Sequence, residues 1–294
     1  MKKNRLNKKG SLKSDLFPAL MFLLPSITGT LIFFLFPYID TVRRSLYDTS
    51  LNNFVLFENF SSVTQNESFR LAAYNTLRFI AICIPSLLLI SLFSALLMHS
   101  LRPGGKKLKT FFLIPMAVPA VSMTIIWQVL FHDNGMINSI LTQFSHDKVN
   151  FMYSNYAFWV LTITYIWKNT GYDMILWLAG LDAIPESLYE AAAVDGAGKI
   201  RSFFYITLPS LIPSAGMVTV LSLLNSFKVF REAYLVSGAY PHDSMYMLQH
   251  LFNNWFANMD ISRLSAAAVI LCLGLVVIII PVLKLFKSVD REAS

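Results

Sequence analysis

The sequence predicts an all-α membrane protein of six transmembrane helices, with both termini on the cytoplasmic side. Three observations carry this. The 294 residues are 55% hydrophobic, with a mean hydropathy of +0.54. Only 14% are charged, against about 25% in an average soluble domain. That deficit is what lipid-facing surface demands, because an ionisable group at the bilayer centre is expensive. Finally, six segments approach the about 20 mostly apolar residues that a spanning helix needs. They lie at about 16–38, 72–98, 110–131, 156–181, 210–232 and 264–286.

The first segment follows a basic tail, residues 1–15, MKKNRLNKKGSLKSD. Its apolar run from Leu16 to Tyr38 is too long for a signal-peptide core and lacks a small-residue cleavage site, so a retained span is expected. The stretch 39–71 is too short for a sizeable domain. Asn66-Glu67-Ser68 within it matches a glycosylation triplet, a pattern common by chance. Pro25, Pro85, Pro115 and Pro119 fall inside the apolar segments. They are expected to kink helices rather than end them, since neighbouring helices can satisfy the freed carbonyls. Leu101–Lys107 is a turn with basic flanks and reads as a topology anchor rather than a phosphate site. Residues 132–155 form a polar loop with a turn at Asn134-Gly135. The fourth and fifth spans flank a loop, 182–209, and a short tail, 287–294, follows the sixth.

Basic residues orient the chain. Fifteen Lys and Arg fall in 1–15, 99–109, 182–209 and 287–294 with Lys284, and five in 39–71, 132–155 and 233–263. The richer set marks the cytoplasmic side. The formal charge of +7 could suggest nucleic acid, but the basic residues cluster beside apolar spans, so the lipid bilayer is the expected partner and nucleic acid is not. Cys83 and Cys272 lie in apolar segments without metal-ligand spacing and read as small packing residues. His99, His132, His146, His242 and His250 are scattered. No catalytic constellation is recognisable, so neither an enzyme activity nor a metal site is expected.

The stretch from Glu190 to Pro213, EAAAVDGAGKIRSFFYITLPSLIP, is polar at its start and lies between two apolar segments. Its alanines are strong helix formers and Gly196 interrupts them, so it reads as a short helix, a turn and a second amphipathic piece. Gly196-Ala197-Gly198-Lys199 imitates a nucleotide-binding loop. Ala193 stands where that motif needs Gly, and Ile200 where it needs Ser or Thr. Any ATP used must bind another polypeptide. Polar groups inside spans point to a pathway, because lipid penalises them. The fourth span holds Tyr165, Trp167, Lys168, Asn169, Tyr172 and Asp173; the fifth holds Ser222, Asn225, Ser226, Lys228 and Arg231. Tyr165, Lys168, Asn169 and Tyr172 share one helical face, as do Ser222, Asn225 and Ser226. The bland alternative is that Lys168 and Asp173 snorkel or pair, that Tyr and Trp belong to the interfacial belt, and that Lys228–Glu232 is an interfacial anchor.

The loop resembles the EAA loop of bacterial ABC importer permeases at every position of that pattern: Glu190-Ala191-Ala192, Gly196, then Ile206-Thr207-Leu208-Pro209. The likeness extends to Trp167–Pro185 (WKNTGYDMILWLAGLDAIP), Asn75-Thr76, Ile114-Pro115 and Ala266-Ala267-Ala268, and covers roughly residues 16–286. It is strongest to sugar permeases similar to the larger membrane subunit of the maltose importer, whose extra N-terminal spans and large outer domain have no counterpart here. The resemblance implies a type I ABC importer permease fold in the bacterial cytoplasmic membrane. It implies a coupling helix docking on an ATPase, with Glu190, Ala191, Ala192, Asp195, Gly196, Leu208 and Pro209 as the coupling residues. It carries the sugar-contacting positions onto Tyr165, Lys168, Asn169, Tyr172, Ser222, Asn225 and Ser226. The implied partners are a second permease, an ATPase dimer and an extracytoplasmic solute-binding protein, which Arg231, Glu232 and the Tyr240–Tyr246 loop would contact. The cofactors, ATP and Mg, would sit on the ATPase and none on this chain. An ion-driven secondary carrier, an intramembrane enzyme and the same architecture with a non-sugar substrate remain as alternatives. The carrier would show inverted repeats and broken helices.

Overall fold

The computed structural model describes residues 18, 21–48, 53–101 and 106–293. The basic tail 1–15 and the Arg102–Gly105 part of the expected turn lie outside them. The chain divides into two compact units, Met1–Val63 with Met259–Cys272, and Thr64–Asn258 with Leu273–Ser294. Among the described residues there is no strand beyond one isolated bridge.

In the first unit, α1 (Met21–Ser45) buries no residue of its apolar window. Phe22, Phe33, Phe34 and Phe36 stand open, a surface suited to lipid or to another apolar chain. A π turn at Leu31–Leu35 interrupts it. Past its end, Tyr47 bridges to Phe54 with the two rings edge-on. Asn59, near the start of α2 (Glu58–Gln65), donates to the Ser45 and Tyr47 carbonyls at 3.0 and 2.8 Å. This supplies the partners that a helix C-terminus lacks.

The second unit is built on α3 (Glu67–Ser100) packed against α7 (Tyr156–Asp182). Asn66 is the N-cap of α3, its side chain accepting the Phe69 N–H at 3.0 Å; the glycosylation-like triplet has this structural use. Phe79, Cys83, Leu87, Ser91 and Ala95 recur every fourth residue and are all buried, which puts them on one face. That face meets Phe158, Leu161, Tyr165, Met174 and Trp177 of α7. The Trp177 indole donates to Ser91 at 3.1 Å. Arg78, a charge inside the apolar segment, lies over the Phe158 ring, 4.1 Å from its centroid. Lipid gives no hydrophobic drive between helices, so close backbone approach and hydrogen bonds carry the packing. Gly171 of α7 supplies such an approach: a Cβ there would run into the Phe112 carbonyl.

The expected single span at 110–131 is not one helix. α4 (Lys106–Ala117) and α5 (Ala120–Phe131) are separate, and the chain bends by 96° between them. Pro115 is tolerated inside α4, but Pro119 is extended (φ −60°, ψ 147°) and precedes α5. Proline bars the residue before it from helical geometry and brings no N–H of its own. The Pro115 carbonyl is met instead by Val118 at 3.2 Å. The expected polar loop 132–155 likewise contains a helix, α6 (Met136–Gln143). It is stapled by buried Asn138, which bonds the His132 carbonyl and both backbone groups of Val149.

Beyond α7 come α8 (Glu186–Val194) and α9 (Lys199–Ser202), which continues through a π turn, Phe203–Thr207, and Leu208–Ser210. Next are α10 (Ile212–Ser237), α11 (Leu248–Ala257) and α12 (Ile261–Ala293), which begins in the first unit. Among the described residues, four helices are long and apolar enough to cross a membrane: Met21–Ser45, Glu67–Ser100, Ile212–Ser237 and Ile261–Lys284. The bent α4–α5 pair adds a fifth if it counts as one span. α7 is 27 residues long, but its charged and polar residues dilute its hydropathy. The segment between α10 and α11 is pinned to α3. Asn75 donates to the Asp243 and Tyr246 carbonyls at 2.6 and 2.9 Å, and Thr76 accepts the Leu248 N–H at 3.1 Å. Ser244 reaches the Ser154 carbonyl just ahead of α7, at 3.2 Å.

Candidate functional site

Two regions collect the polar residues that an apolar bundle would otherwise exclude. The first is a cavity of about 270 Å³ between α4, α5, α7 and α10. α7 contributes Thr164, Tyr165, Lys168, Asn169 and Tyr172, one face of a helix; α10 contributes Asn225, Lys228, Arg231 and Glu232. Met116 and Trp127 close it from α4 and α5. A 3₁₀ turn at Phe227–Val229 interrupts α10 here.

Five of the seven sequence-derived pathway residues meet in this cavity: Tyr165, Lys168, Asn169, Tyr172 and Asn225. Ser222 and Ser226 do not line it. Ser222 is buried and donates to Asp173 of α7 at 2.6 Å, and Ser226 is buried and donates to the Leu223 carbonyl at 2.6 Å. Their shared helical face points into helix packing. Asp173 thereby finds a hydroxyl rather than a cation. Lys168 does pair: its Nζ lies 2.5 Å from the Glu232 carboxylate, 64 residues away, with both side chains largely covered. Sequence spacing gives no sign of that partner.

Two donors are left over. The Trp127 indole N–H and the Tyr165 hydroxyl are buried without a hydrogen-bond partner among the described residues, and both residues line the cavity. Unpaired buried donors cost about 1–3 kcal/mol each; both atoms are covered, so a group in the cavity accepts from them only if their side chains turn toward it. Sequence reasoning passed over Trp127 because it sits in a span with no charged residue and no cluster of polar residues on one face to mark it. Aromatic faces combined with donors and amides suit a polyhydroxylated ligand: flat apolar rings meet its C–H surfaces and polar groups meet its hydroxyls.

The second region surrounds α8. Helix α8 buries none of its residues, and Leu188, Val194 and Ile200 stand open on the loop. Its C-terminus closes on itself: the Ala197 N–H bonds the Ala192 carbonyl at 2.8 Å and the Gly196 N–H bonds that of Ala193 at 3.1 Å. This double closure needs a left-handed residue, and Gly196 has φ +75°. A Cβ on Gly196 would meet no atom within 4 Å, so the glycine is required by backbone conformation and not by space within this chain. Tyr189, one residue before Glu190, shares a hydrogen bond of 2.8 Å with Thr207, joining α8 to the π turn that leads into α10. Glu190, Ala191 and Asp195 are exposed. Pro209 follows the π turn directly, inside the continuous helical stretch Lys199–Ser210 rather than at the start of a helix. Between α8 and the ends of α3 and α7 opens a larger cleft, about 1030 Å³, bordered by His99, Lys109, Asp182, Glu186 and Lys199.

Comparison with known proteins places the chain. The family described as binding-protein-dependent transport system inner membrane component matches residues 74–292. The sulfoquinovosyl glycerol transport system permease protein of Agrobacterium fabrum is 31% identical over 265 residues, 87% of this chain and 86% of that protein. The sn-glycerol-3-phosphate transport system permease protein of Yersinia pestis is 30% identical over 279 residues, 92% and 94% of the two chains. Among solved structures, a chain of a bacterial ABC transporter that imports the acidic polysaccharide alginate superposes with a TM-score of 0.80 at 22% identity. That match covers 95% of this chain and 98% of that one.

Proposed function

Because this chain belongs to the family of binding-protein-dependent transport system inner membrane components, we propose that it is the permease half-pathway of an ATP-driven sugar or oligosaccharide importer. Its place is the bacterial cytoplasmic membrane. It crosses six times, through α1, α3, the bent α4–α5 pair, α7, α10 and α12, with both termini and the α8 loop in the cytoplasm. A second permease completes the pathway, a pair of ATPase subunits binds ATP and Mg, and an extracytoplasmic binding protein delivers the solute. Relatives named for sulfoquinovosyl glycerol and glycerol 3-phosphate support a sugar-like cargo, and family membership weighs against an ion-driven carrier.

The observation that carries this reading is the α8 loop: an exposed, self-closed helix bound to the foot of α10 by Tyr189 and Thr207. Small Ala191 and Ala192 let it enter a cleft on the ATPase, and Glu190 offers a carboxylate to a basic group there. When ATP closes the ATPase pair, α8 is carried along as a lever. The hydrogen bond to Thr207 passes the movement to α10, whose other end lines the cavity with Asn225, Lys228 and Glu232. The cavity then faces alternately outward and inward.

The test is to co-express the chain with its second permease and ATPase, purify through a tag on this chain, and assay ATP hydrolysis with and without Glu190→Ala. Copurification of the ATPase, with hydrolysis in the variant weakened or no longer stimulated by the binding protein, is the expected result. A chain that purifies alone and moves solute down an ion gradient would overturn the reading.

A further inference from the structure

The cavity between α5, α7 and α10 carries charge that its own chain does not neutralise. Lys168, Lys228 and Arg231 line it against a single carboxylate, Glu232. Glu232 is already taken by Lys168 at 2.5 Å, the two side chains only 13% and 17% exposed. Lys228 reaches nothing more than the neutral Asn225 amide oxygen, at 2.7 Å. Arg231 has no ion-pair or hydrogen-bond partner among the described residues. The 3₁₀ turn at Phe227–Val229 stacks residues three apart, so Asn225, Lys228 and Arg231 follow one another along a single wall of the cavity.

An interfacial anchor would reach from a convex face toward lipid headgroups. Here the two cations, both solvent-exposed, line a concave site together with Trp127 and Tyr165, whose own N–H and O–H are covered and lack acceptors. Its cations outnumber its carboxylates three to one. A neutral sugar, whose hydroxyls donate as readily as they accept, would displace water from two like charges on one wall without bringing an opposite charge. A ligand bearing an oxyanion supplies that charge, because guanidinium forks match carboxylate, sulfonate and phosphate oxygens and a second ammonium adds charge.

We infer that the cargo of this pathway is an anionic sugar or sugar derivative, its oxyanion held by Arg231 and Lys228 while its hydroxyls face Tyr165 and Trp127. Lys168 is then not the anion's ligand: it holds Glu232 in place and keeps that carboxylate from repelling the cargo. The inference rests on the importer reading and narrows it to one substrate class.

The experiment uses the assembled importer with its ATPase, second permease and binding protein in liposomes. It is given radiolabelled probes in charge-matched pairs: digalacturonate with galactobiose, glycerol 3-phosphate with glycerol, sulfoquinovose with glucose. ATP-dependent uptake is expected for at least one anionic member, at least tenfold above its neutral partner, and which pair responds identifies the oxyanion. Arg231→Gln should raise the KM for that probe about 10- to 100-fold, the range for losing a hydrogen bond to a charged group. Arg231→Lys should recover most of it, which also shows that the site folds without the guanidinium. Equal or preferred uptake of the neutral members overturns the anion and leaves the importer standing, as does anionic uptake indifferent to Arg231→Gln and Lys228→Gln combined. Uptake that continues without ATP sinks the importer reading itself, and uptake of no probe overturns the cargo proposed here.

Discussion

Replacing Gly196 by alanine, asparagine and tryptophan in turn separates two demands that a glycine can serve. With φ +75°, any L side chain other than Asn or Asp pays about 1–2 kcal/mol for the left-handed conformation. Such a cost shifts the closed form of the α8 C-terminus by a factor of about 5–30. Because Gly196 is exposed and a Cβ there would meet no atom within 4 Å, the penalty inside this chain is set by the backbone conformation rather than by contact at the first side-chain atom. The isolated permease should therefore lose the same thermal stability with alanine as with tryptophan, and less with asparagine. In the assembled importer the two large penalties should part. Tryptophan should abolish binding-protein-stimulated ATP hydrolysis, while alanine lowers it in step with the conformational cost. The difference between the two measures how closely the ATPase approaches the turn. Unequal melting of the isolated alanine and tryptophan variants would refute the open-space argument, and equal coupling in the assembly would refute docking at this turn.

Three further outcomes follow from other contacts. Glu232→Gln should leave Lys168 as a largely covered, unpaired charge and destabilise the subunit by about 3 kcal/mol. The double change Lys168→Met with Glu232→Leu should melt close to the original chain, a comparison that a double-mutant cycle in detergent resolves. Asn75→Leu removes both bonds that hold the Asp243 and Tyr246 carbonyls and should cost about 1–3 kcal/mol, read as faster proteolysis between residues 239 and 247. Burial of the His250 imidazole pushes its pKa down, from 6.5 to about 4, so the unfolded chain binds the proton that the folded one refuses. The neutral form's contribution is complete above about pH 6.5 and is lost as pH falls toward 4, amounting to at most about 3 kcal/mol. His250→Phe should flatten that acid-side decline in a pH series of melting curves.

Much of the α8 loop is legible in the chain because its requirements are local. Alanines favour helix and Gly196 supplies the one positive φ in the turn. The cavity is only half legible. Polar residues on one face of α7 stand out against lipid, and Tyr165, Lys168, Asn169 and Tyr172 do converge. On α10 the same argument fails for Ser222 and Ser226, because a buried hydroxyl can satisfy itself on Asp173 or on its own helix. Nothing local distinguishes that from a pathway role. Trp127 is passed over because a tryptophan in a mostly apolar span reads as packing, even with Gln128 beside it. The bend at Pro119 was masked by Pro115: two prolines in one apolar run look alike, yet one is absorbed within α4 and the other ends it. The Lys168–Glu232 pair joins helices 64 residues apart, a distance at which composition and periodicity are silent.

The stapling of residues 243–248 to Asn75, Thr76 and Ser154 has a mechanical meaning. Those three anchors belong to α3 and to the threshold of α7, the two helices whose packing makes up the centre of the second unit. A change in the angle between them must either carry this segment along or break its hydrogen bonds. A protein resting on the segment from outside would thus feel the state of the bundle without touching the solute. Its arrival could bias that state in return, since the effect of each on the other is the same free energy. A segment already ordered also costs little entropy when something binds it. A spin label at exposed Tyr240 would turn that arrangement into a gauge of the transport cycle.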